Sequence, residues 1–369
     1  MRYFVITALL AGFSLLFSSC DQDIDINDDW QDVGVVYGLL NPNSNTNHVR
    51  IERGYLGTEP ASASFNQPDS LYYDTLQVYL YGINDNGDTI DRRLLVKDQS
   101  INLDSGQFTT EDYRLYRTDP SQKDNPDDQD KLYEDLTYHL RVIKVGTNFE
   151  DTRAKTELVE PNKGTTSGFR FQEPFPFITR RPIYNGRIAW FASDRAEMYE
   201  IDIYFHYREL DTTTNVSVEK SFKIDYETQT GPFTVTASPL ESNRGRQELY
   251  EAIAANVEVN ENVLRFYDKM RIVIWAGGKE LRRYVQLAEP TTSLSQSRPE
   301  FMQVENGVGL LSSRTRIGVD NVDLAGGTGG VKNTFYLDPI LCDRNFVSLE
   351  VTDTCYCDFF AGEPVKRCF

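Results

Sequence analysis

The feature that most constrains this chain is a two-residue alternation of apolar and polar residues, in short runs separated by turn residues from Val33 onward. The clearest run has its apolar or aromatic residues at every second position: Tyr199, Ile201, Ile203, Phe205 and Tyr207. Successive side chains of a strand point to opposite faces, so this run predicts a half-buried β-strand. Two further runs, 76–83 and 89–96, flank Asn84-Asp85-Asn86-Gly87, and an Asn-Gly pair of this kind indicates a hairpin turn.

The spacing of these runs predicts a mainly β fold made of two antiparallel β-sandwich-like modules. We expect the first module at residues 33–146 and the second at 186–290, joined by a Pro- and Phe-rich connection at 147–185. Residues 291–369 are predicted as a Gly- and Ser-rich irregular C-terminal tail that is stapled by cysteines. The second module contains one short predicted helix at 247–257, with predicted strands at 233–237, 271–275 and 282–287.

The first twenty residues predict a lipoprotein signal peptide at 1–19. A basic residue, Arg2, precedes an apolar run at 4–17, and small residues precede Cys20. The apolar run holds about 14 residues, whereas spanning a bilayer takes roughly 20. We therefore expect lipidation of Cys20 as the first mature residue, followed by an acidic tether at 20–32. A cleaved signal with an incidental cysteine and an uncleaved anchor are the alternatives.

Acidic residues dominate the composition: 56 Asp and Glu against 38 Lys and Arg give a net charge of −18. Nucleic-acid binding needs basic patches that neutralise phosphates, so this balance argues against it. It also argues against adsorption of the protein body to anionic lipids, which leaves a covalent lipid on Cys20 as the expected membrane contact.

Four cysteines besides Cys20 fall within the last 28 residues: Cys342, Cys355, Cys357 and Cys368. An exported chain meets an oxidising compartment, where an even number of cysteines indicates disulfides. A bridge between Cys355 and Cys357 would be strained, so we expect each of them to pair with Cys342 or Cys368. A zinc site, for which the paired C-x-x-C spacing is missing, and free thiols are the alternatives.

Residues that could carry catalysis form none of the common signatures. His48, His139 and His206 lie in or beside predicted strands, and the sequence has neither a His-Glu-x-x-His helix nor a Gly-x-Ser-x-Gly elbow. We therefore expect no enzymatic activity and no cofactor other than the lipid. The Asp- and Asn-rich stretches at 84–88 and 124–130 offer oxygen ligands for Ca²⁺, but neither completes a twelve-residue calcium loop, so turns are the favoured interpretation.

Four phenylalanines within nine residues of the predicted connection are the partner-contact candidates: Phe169, Phe171, Phe175 and Phe177. One small core would not bury all four. They are therefore expected either to fill the contact between the modules or to face a partner protein.

Three stretches give the chain a family resemblance: Val-Val-Tyr-Gly-Leu-Leu-Asn at 35–41, the run at 48–56, and Val-Glu-Asn-Gly-Val-Gly-Leu-Leu-Ser at 304–312. They resemble a family of Bacteroidota lipoproteins with a domain of unknown function, in which an early strand pair follows the lipidated cysteine. The resemblance covers most of residues 20–315 and does not extend beyond about Cys342. Because members often accompany TonB-dependent transporters, it implies an outer-membrane location and a β-barrel partner, and it implies no activity.

Two shorter patterns agree with this resemblance. The acidic residues Asp21, Asp23 and Asp25 resemble the signals that send Bacteroidota lipoproteins to the cell surface. Short triplets that begin with Asp resemble the O-glycosylation sequence of that phylum and mark four candidates: Ser70, Thr75, Thr89 and Thr212.

Taken together, these features predict a non-enzymatic, lipid-anchored outer-membrane protein that faces the cell exterior. Its expected role is that of an accessory subunit of a β-barrel machine, whether a transporter, a secretion pore or a barrel-assembly complex. The alternative is a surface lipoprotein that binds glycans or peptides through aromatic loops for nutrient capture.

Overall fold

The computed structural model describes residues 33–54, 72–73, 75–98, 115–124, 129–148, 150–161, 169–171, 188–236, 238–242, 246–288, 303–323, 339–347, 355–360 and 363–368. Several predicted features lie outside these ranges: the signal peptide, Cys20, the acidic tether, Ser70, Phe175 and Phe177.

The described chain is mainly β-strand, as the alternation predicts. Seven strands come first: β1 (Gly34–Leu40), β2 (His48–Arg53), β3 (Leu76–Ile83), β4 (Thr89–Asp98), β5 (Leu115–Lys123), β6 (Thr137–Lys144) and β7 (Thr152–Glu157). The middle of the chain forms β8 (Phe169–Phe171), β9 (Ile188–Trp190), β10 (Met198–Asp211), β11 (Ser217–Thr230), β12 (Leu240–Ser242), helix α1 (Arg246–Ala255), β13 (Val263–Gly277) and helix α2 (Lys279–Ala288). The last elements are β14 (Gly307–Asp323), the short helix α3 (Pro339–Cys342), β15 (Phe346–Val347), β16 (Cys355–Phe360) and β17 (Glu363–Cys368).

The first seven strands form one module around a hydrophobic core. Hydrogen bonds order them as β1-β2-β5-β4-β3-β6-β7, and β14 pairs with β1 at the open end. The last strand of this order, β7, meets the segment just before β14: Arg153 and Glu305 exchange backbone hydrogen bonds of 3.0 and 2.8 Å. The sheet therefore closes around the core. Val36, Leu80 and Tyr138 are among the buried members of the enclosed core. β7 lies within the region predicted as a connection, so the first module extends further along the chain than expected.

A second core lies against the long antiparallel strands β10, β11 and β13. The five alternate residues predicted to share one face of β10 are all buried in it: Tyr199, Ile201, Ile203, Phe205 and Tyr207. Leu249 and Ile253 of α1 and Trp190 of the small sheet β12-β9-β8 pack into the same core. The predicted helix at 247–257 is confirmed, because its apolar stripe faces this core.

β14, at 17 residues the longest described strand, belongs to both modules. Its first part, 307–313, pairs in parallel with β1, and its second part, 314–323, pairs antiparallel with β13. This finding adds to the expected mainly β fold, since residues 307–323 were predicted within an irregular tail, and one pair of strands, β1 and β14, is parallel in modules predicted as antiparallel. β14 departs from the two-residue pattern because glycines occupy its start and three of its buried residues are polar: Ser312, Ser313 and Thr315.

Helix α2 takes the place of the strand predicted at 282–287. Its apolar residues Leu281, Tyr284 and Val285 recur at intervals of three and four, which suits one face of a helix. A six-residue window is too short to separate this period from that of a strand. The strand predicted at 233–237 is also wrong at the described positions 233–236, which follow Pro232 and form no strand.

β16 and β17 form a hairpin near the end of the chain. Their backbone register places Cys355 opposite Cys368, which suits one of the pairings that the sequence left open; the disulfides themselves stay a prediction. Among the helices in the described ranges, none is both long enough and apolar enough to cross a membrane.

Candidate functional site

The glycine-rich start of β14 holds three strands in close contact. Asn306 has a positive φ of 51° and Gly309 one of 118°. A Cβ on Gly309 would lie 1.9 Å from the Val36 carbonyl oxygen, so this approach requires glycine. Thr152 in β7 donates its hydroxyl to the Asn306 carbonyl oxygen at 3.0 Å. The Glu-Asn-Gly-Val-Gly stretch therefore packs β14 against β1 and β7.

Gln303 fixes the segment that precedes β14 against β7. Its Nε2 donates to the carbonyl oxygens of Lys155, at 2.8 Å, and of Leu311. Its Oε1 accepts the Leu311 N–H at 2.7 Å. Because one side chain satisfies backbone groups of two strands, residues 303–307 form a fixed wall beside β7.

Helix α2 also packs against β14. The Leu281 N–H donates to the Ser312 hydroxyl oxygen at 3.1 Å, near the first turn of the helix. The Glu280 carboxylate accepts a 3.2 Å hydrogen bond from the Thr156 hydroxyl of β7. These bonds fix α2 relative to both strands.

An open cleft of about 1120 Å³ lies between α2, β7 and residues 303–307. Five charged side chains line it: Lys155, Lys279, Glu280, Arg283 and Glu305. Amide side chains add hydrogen-bonding groups: Gln286, Gln303 and Asn306. The three cations are exposed, and within the described ranges no carboxylate forms an ion pair with any of them. Such a cleft can bind a ligand that carries several negative charges together with polar groups.

Burial alters the protonation of two groups beside the cleft. It raises the pKa of Glu280, while hydrogen bonds from the backbone and from the Thr156 hydroxyl oppose that rise. His139 in β6 lies opposite Lys155 in the register of β6 and β7. Burial, followed by the positive charge of Lys155, lowers the pKa of His139. Burial therefore favours the uncharged forms of both Glu280 and His139.

The three histidines lie on strands that are not neighbours in the sheet. His48 in β2 approaches Asp98 in β4, with 3.0 Å between Nε2 and Oδ2. His139 belongs to β6 and His206 to β10. The structure therefore brings no two of them together as a catalytic pair or a metal site.

The two stretches considered for calcium use their oxygens within the fold. In the first, Asn84 Oδ1 accepts the backbone N–H groups two and four residues further on, at 3.0 and 2.9 Å. In the second, Asp124 pairs with Arg92 at 3.1 Å, and Asp130 pairs with Lys123 at 3.1 Å. Residues 125–128 of that stretch lie outside the described ranges. The described donors therefore behave as turn and surface ion-pair residues.

An acidic cluster that the sequence did not indicate lies on β10 and β11. Carboxylate oxygens of Glu200, Asp202 and Asp225 lie within 4.8 Å of one another. Lys223 already supplies a cation, with its Nζ 3.1 Å from Asp202 and 2.7 Å from Asp225. Trp275 donates its indole N–H to Asp202 at 3.0 Å. Arg314 pairs with Glu200 at 2.6 Å, so two cations already lie against the three carboxylates. Hydrogen bonds to Asp225 and Asp202 raise the pKa of Lys223.

A buried polar network in the first module was also missed. Arg93 and Asp91 are both 1% exposed, and Tyr138 donates its hydroxyl to Asp91 at 2.9 Å. The Arg93 guanidinium also bonds the carbonyl oxygens of residues 129–131. Because the network is sealed inside the core, it stabilises the fold and is not accessible to a ligand.

The remaining candidates occupy strands and turns. Phe169 and Phe171 begin and end β8, which pairs with β9. Of the O-glycosylation candidates, three lie in the described ranges, and all are exposed: Thr75, Thr89 and Thr212. The Thr212 hydroxyl donates to the Asn262 carbonyl oxygen at 3.0 Å.

The cleft itself was not among the predicted sites. Its residues come from β7, α2 and the segment 303–307, and the only signal in the sequence was the Glu-Asn-Gly stretch of the family resemblance. No protein-family model matches the chain, and no curated protein is significantly similar to it.

Proposed function

We propose that this protein is a non-enzymatic, lipid-anchored subunit of the outer membrane that faces the cell exterior and assists a β-barrel machine. The observation that carries the proposal is the cleft between α2, β7 and residues 303–307, which exposes three cations and the amide side chains of Gln286 and Asn306. In a protein with a net charge of −18, a concentration of cations that form no ion pair with described residues is suited to recognition of a partner. Binding of this kind requires no catalytic group.

Features of the sequence support the same role. The Ser18-Ser19-Cys20 stretch supports a lipid anchor, and the aspartates that follow it support export to the surface. The resemblance at 304–312 supports an association with outer-membrane transporters. The hydrogen bonds of Gln303 and α2 support the binding role, because a fixed cleft loses little conformational entropy when a partner binds.

Affinity purification from native membranes tests the proposal. We expect a tagged chain, extracted with mild detergent, to carry with it an integral β-barrel protein that mass spectrometry identifies. A cleft-reversal variant should lose that protein because like charges replace attraction: Lys155→Glu, Lys279→Glu and Arg283→Glu. A matched control changes three exposed cations elsewhere and should keep it: Lys131→Glu, Lys269→Glu and Arg316→Glu. A chain that always purifies alone contradicts the proposal.

A second candidate is the capture of glycans or peptides at the cell surface, which the size of the cleft favours. Sites for small ligands measure about 300–1,000 Å³. The cleft, at about 1120 Å³, therefore has room for an oligomeric ligand. Its described lining contains no aromatic residue, so recognition would use charges and amides instead of ring stacking.

Thermal unfolding against a panel of acidic glycans and peptides separates the two candidates. A ligand present at 100 times its Kd stabilises the folded state by about 2.7 kcal/mol. A ligand that stabilises the unchanged chain and the matched control, but not the cleft-reversal variant, would favour capture. A flat panel together with a co-purifying barrel would favour the subunit role.

A further inference from the structure

The chain enters the fold at the rim of the cleft. Gly34, the first residue of β1, pairs with Gly307, which lines the cleft. A Cβ on Gly34 would lie 2.4 Å from Thr152 Oγ1, and a Cβ on Gly307 would lie 2.4 Å from the Gly34 carbonyl oxygen. This close packing fixes the point at which the preceding chain meets the fold. That point lies beside Asn306 and Glu305 in the cleft wall.

The charges on the two sides of this point are complementary. Residues 21–32 contain six aspartates and no basic residue. The cleft presents Lys155, Lys279 and Arg283 without ion pairs to described residues. Exposed charges attract over about 10 Å at 0.1 M salt, and the acidic remainder of the protein repels an acidic segment. The cleft is therefore the favoured contact for residues 21–32.

We propose that the cleft binds an aspartate-rich peptide segment and that its occupant is residues 21–32 of this chain. Twelve extended residues reach about 40 Å. Attachment beside the cleft makes the binding intramolecular, with an effective concentration in roughly the millimolar range. Of the two carboxylates that line the cleft, Glu280 is partly buried and bonded to Thr156. Glu305 is exposed, so one exposed negative charge faces three exposed positive charges among the described lining residues. The exposed amide of Gln286, which lines the cleft, can bond the backbone of the segment.

This inference rests on the proposed role of the cleft as a binding surface, and it names an occupant for that surface. Because the segment follows Cys20, seating it also shortens the link between the cleft and a lipid on that cysteine.

Zero-length carbodiimide cross-linking of the full mature chain in detergent tests the seating directly. The reagent joins a carboxylate to an amine that is in contact with it. We expect cross-linked peptides that join aspartates near the end of the segment (Asp28, Asp29 or Asp32) to Lys155 or Lys279. Changing those three aspartates to Asn should remove the cross-links.

The ion pair of Lys223 and Asp225, with 2.7 Å between Nζ and Oδ1, is the internal positive control for this reaction. If that pair cross-links while no peptide joins residues 21–32 to the cleft, the inference is overturned. Equal melting temperatures of the unchanged and substituted chains would show that a lost cross-link does not come from unfolding.

A labelled peptide with the sequence of residues 21–32 tests the site separately, by fluorescence anisotropy. We expect it to bind the chain with the three Asn substitutions at least tenfold more tightly than the unchanged chain, whose own segment competes. The cleft-reversal variant should not bind it in either background, whereas the matched control should behave like the unchanged chain. Equal affinity with and without the Asn substitutions overturns the choice of occupant, and no binding to either overturns the site.

The inference and the proposed function fail separately. A partner that is lost from the cleft-reversal variant, in a chain without the expected cross-links, would support the proposed function and refute the seated segment. Cross-links in a chain that always purifies alone would do the reverse.

Discussion

The ion pair of Arg93 and Asp91 is buried inside the first module, where water cannot replace either partner. The side chains are 1% and 0% exposed, and Arg93 Nε lies 2.8 Å from Asp91 Oδ2. The guanidinium also donates to the carbonyl oxygens of residues 129–131. Changing Arg93 to Met keeps much of the buried volume and removes all of these hydrogen bonds. We expect this substitution to destabilise the protein strongly.

The magnitude follows from what the substitution leaves behind. Asp91 keeps the Tyr138 hydroxyl, at 2.9 Å, as a donor to a carboxylate that has no contact with solvent. Removing one partner of a buried ion pair costs about 3–5 kcal/mol. The carbonyl oxygens of residues 129–131 lose their donor as well. We therefore expect the free energy of unfolding to fall by roughly 4 kcal/mol.

Urea denaturation followed by far-ultraviolet circular dichroism measures this change. Arg92→Met is the matched control, because Arg92 is the neighbouring residue in β4 but its ion pair with Asp124, at 3.1 Å, lies at the surface. We expect the control to cost less than about 1 kcal/mol. Combining Arg93→Met with Asp91→Asn should recover part of the loss, because no buried charge then stays unpaired.

A loss for Arg93→Met no greater than that of the control would refute this reasoning, because the buried pair would then behave like a surface pair. A double variant as unstable as Arg93→Met alone would refute the charge-based part of it. The contacts with residues 129–131 would then carry the effect.

Three other changes should report on separate parts of the fold. In the same urea titration, Gly309→Ala should lower the free energy of unfolding by more than about 2 kcal/mol, because its Cβ would lie 1.9 Å from a carbonyl oxygen of β1. Gly87→Ala is the control: its φ is 86° but its Cβ would meet no atom within 4 Å, so it should cost about 1 kcal/mol. Ser313→Ala should lower thermal stability by about 1–3 kcal/mol, because its hydroxyl bonds two backbone groups in the interior, at 3.0 and 2.9 Å; an unchanged melting temperature would argue against that role. His139→Gln should weaken the pH dependence of stability below about pH 6.5. Burial lowers the pKa of His139 in the folded chain, so in acid the unfolded chain binds more protons than the folded chain. The free energy of unfolding is therefore highest above the pKa of unfolded His139 and falls as the pH drops through it. Identical pH profiles of the unchanged chain and the variant would contradict this.

The parts of the fold that could be predicted are those encoded by residues close together in sequence. β10 follows its predicted alternation because one face packs on the second core, where Ile201 and Ile203 are 0% exposed. The hairpin at 84–87 forms as expected because Asn84 bonds the turn backbone and Gly87 adopts a positive φ. In both cases a local pattern was sufficient.

β14 could not be predicted because several of its buried residues are polar and lie on both faces of the strand. Ser312, Ser313 and Thr315 are all 0% exposed, which is the opposite of what their chemistry suggests. Their hydroxyls bond groups that are distant in sequence: the Leu281 N–H, the Leu40 carbonyl oxygen and the Asn41 amide oxygen. A polar residue that is satisfied by remote partners looks like a loop residue in the sequence.

The cleft could not be predicted from the sequence for a related reason: its residues come together only through contacts between distant segments. Lys155, Lys279 and Arg283 are ordinary surface residues in the sequence, among 38 basic residues. They become a site only because Gln303 and Thr156 tie β7 to the segment before β14 and to α2. The Glu-Asn-Gly stretch was conspicuous for its glycine, and the structure shows that this glycine serves strand packing at the rim of the cleft.

The sharing of β14 between the modules also sets the order in which the protein can fold. β1 leaves the ribosome about 270 residues before its parallel partner, a delay of roughly 14–55 s at 5–20 residues per second. During that time one edge of β1 has no neighbour, and such an edge invites pairing with other chains. Since the same 17 residues complete both sheets, we expect both cores to form late and in one cooperative step. A chain that stops before Gly307 should therefore aggregate instead of yielding a folded first module.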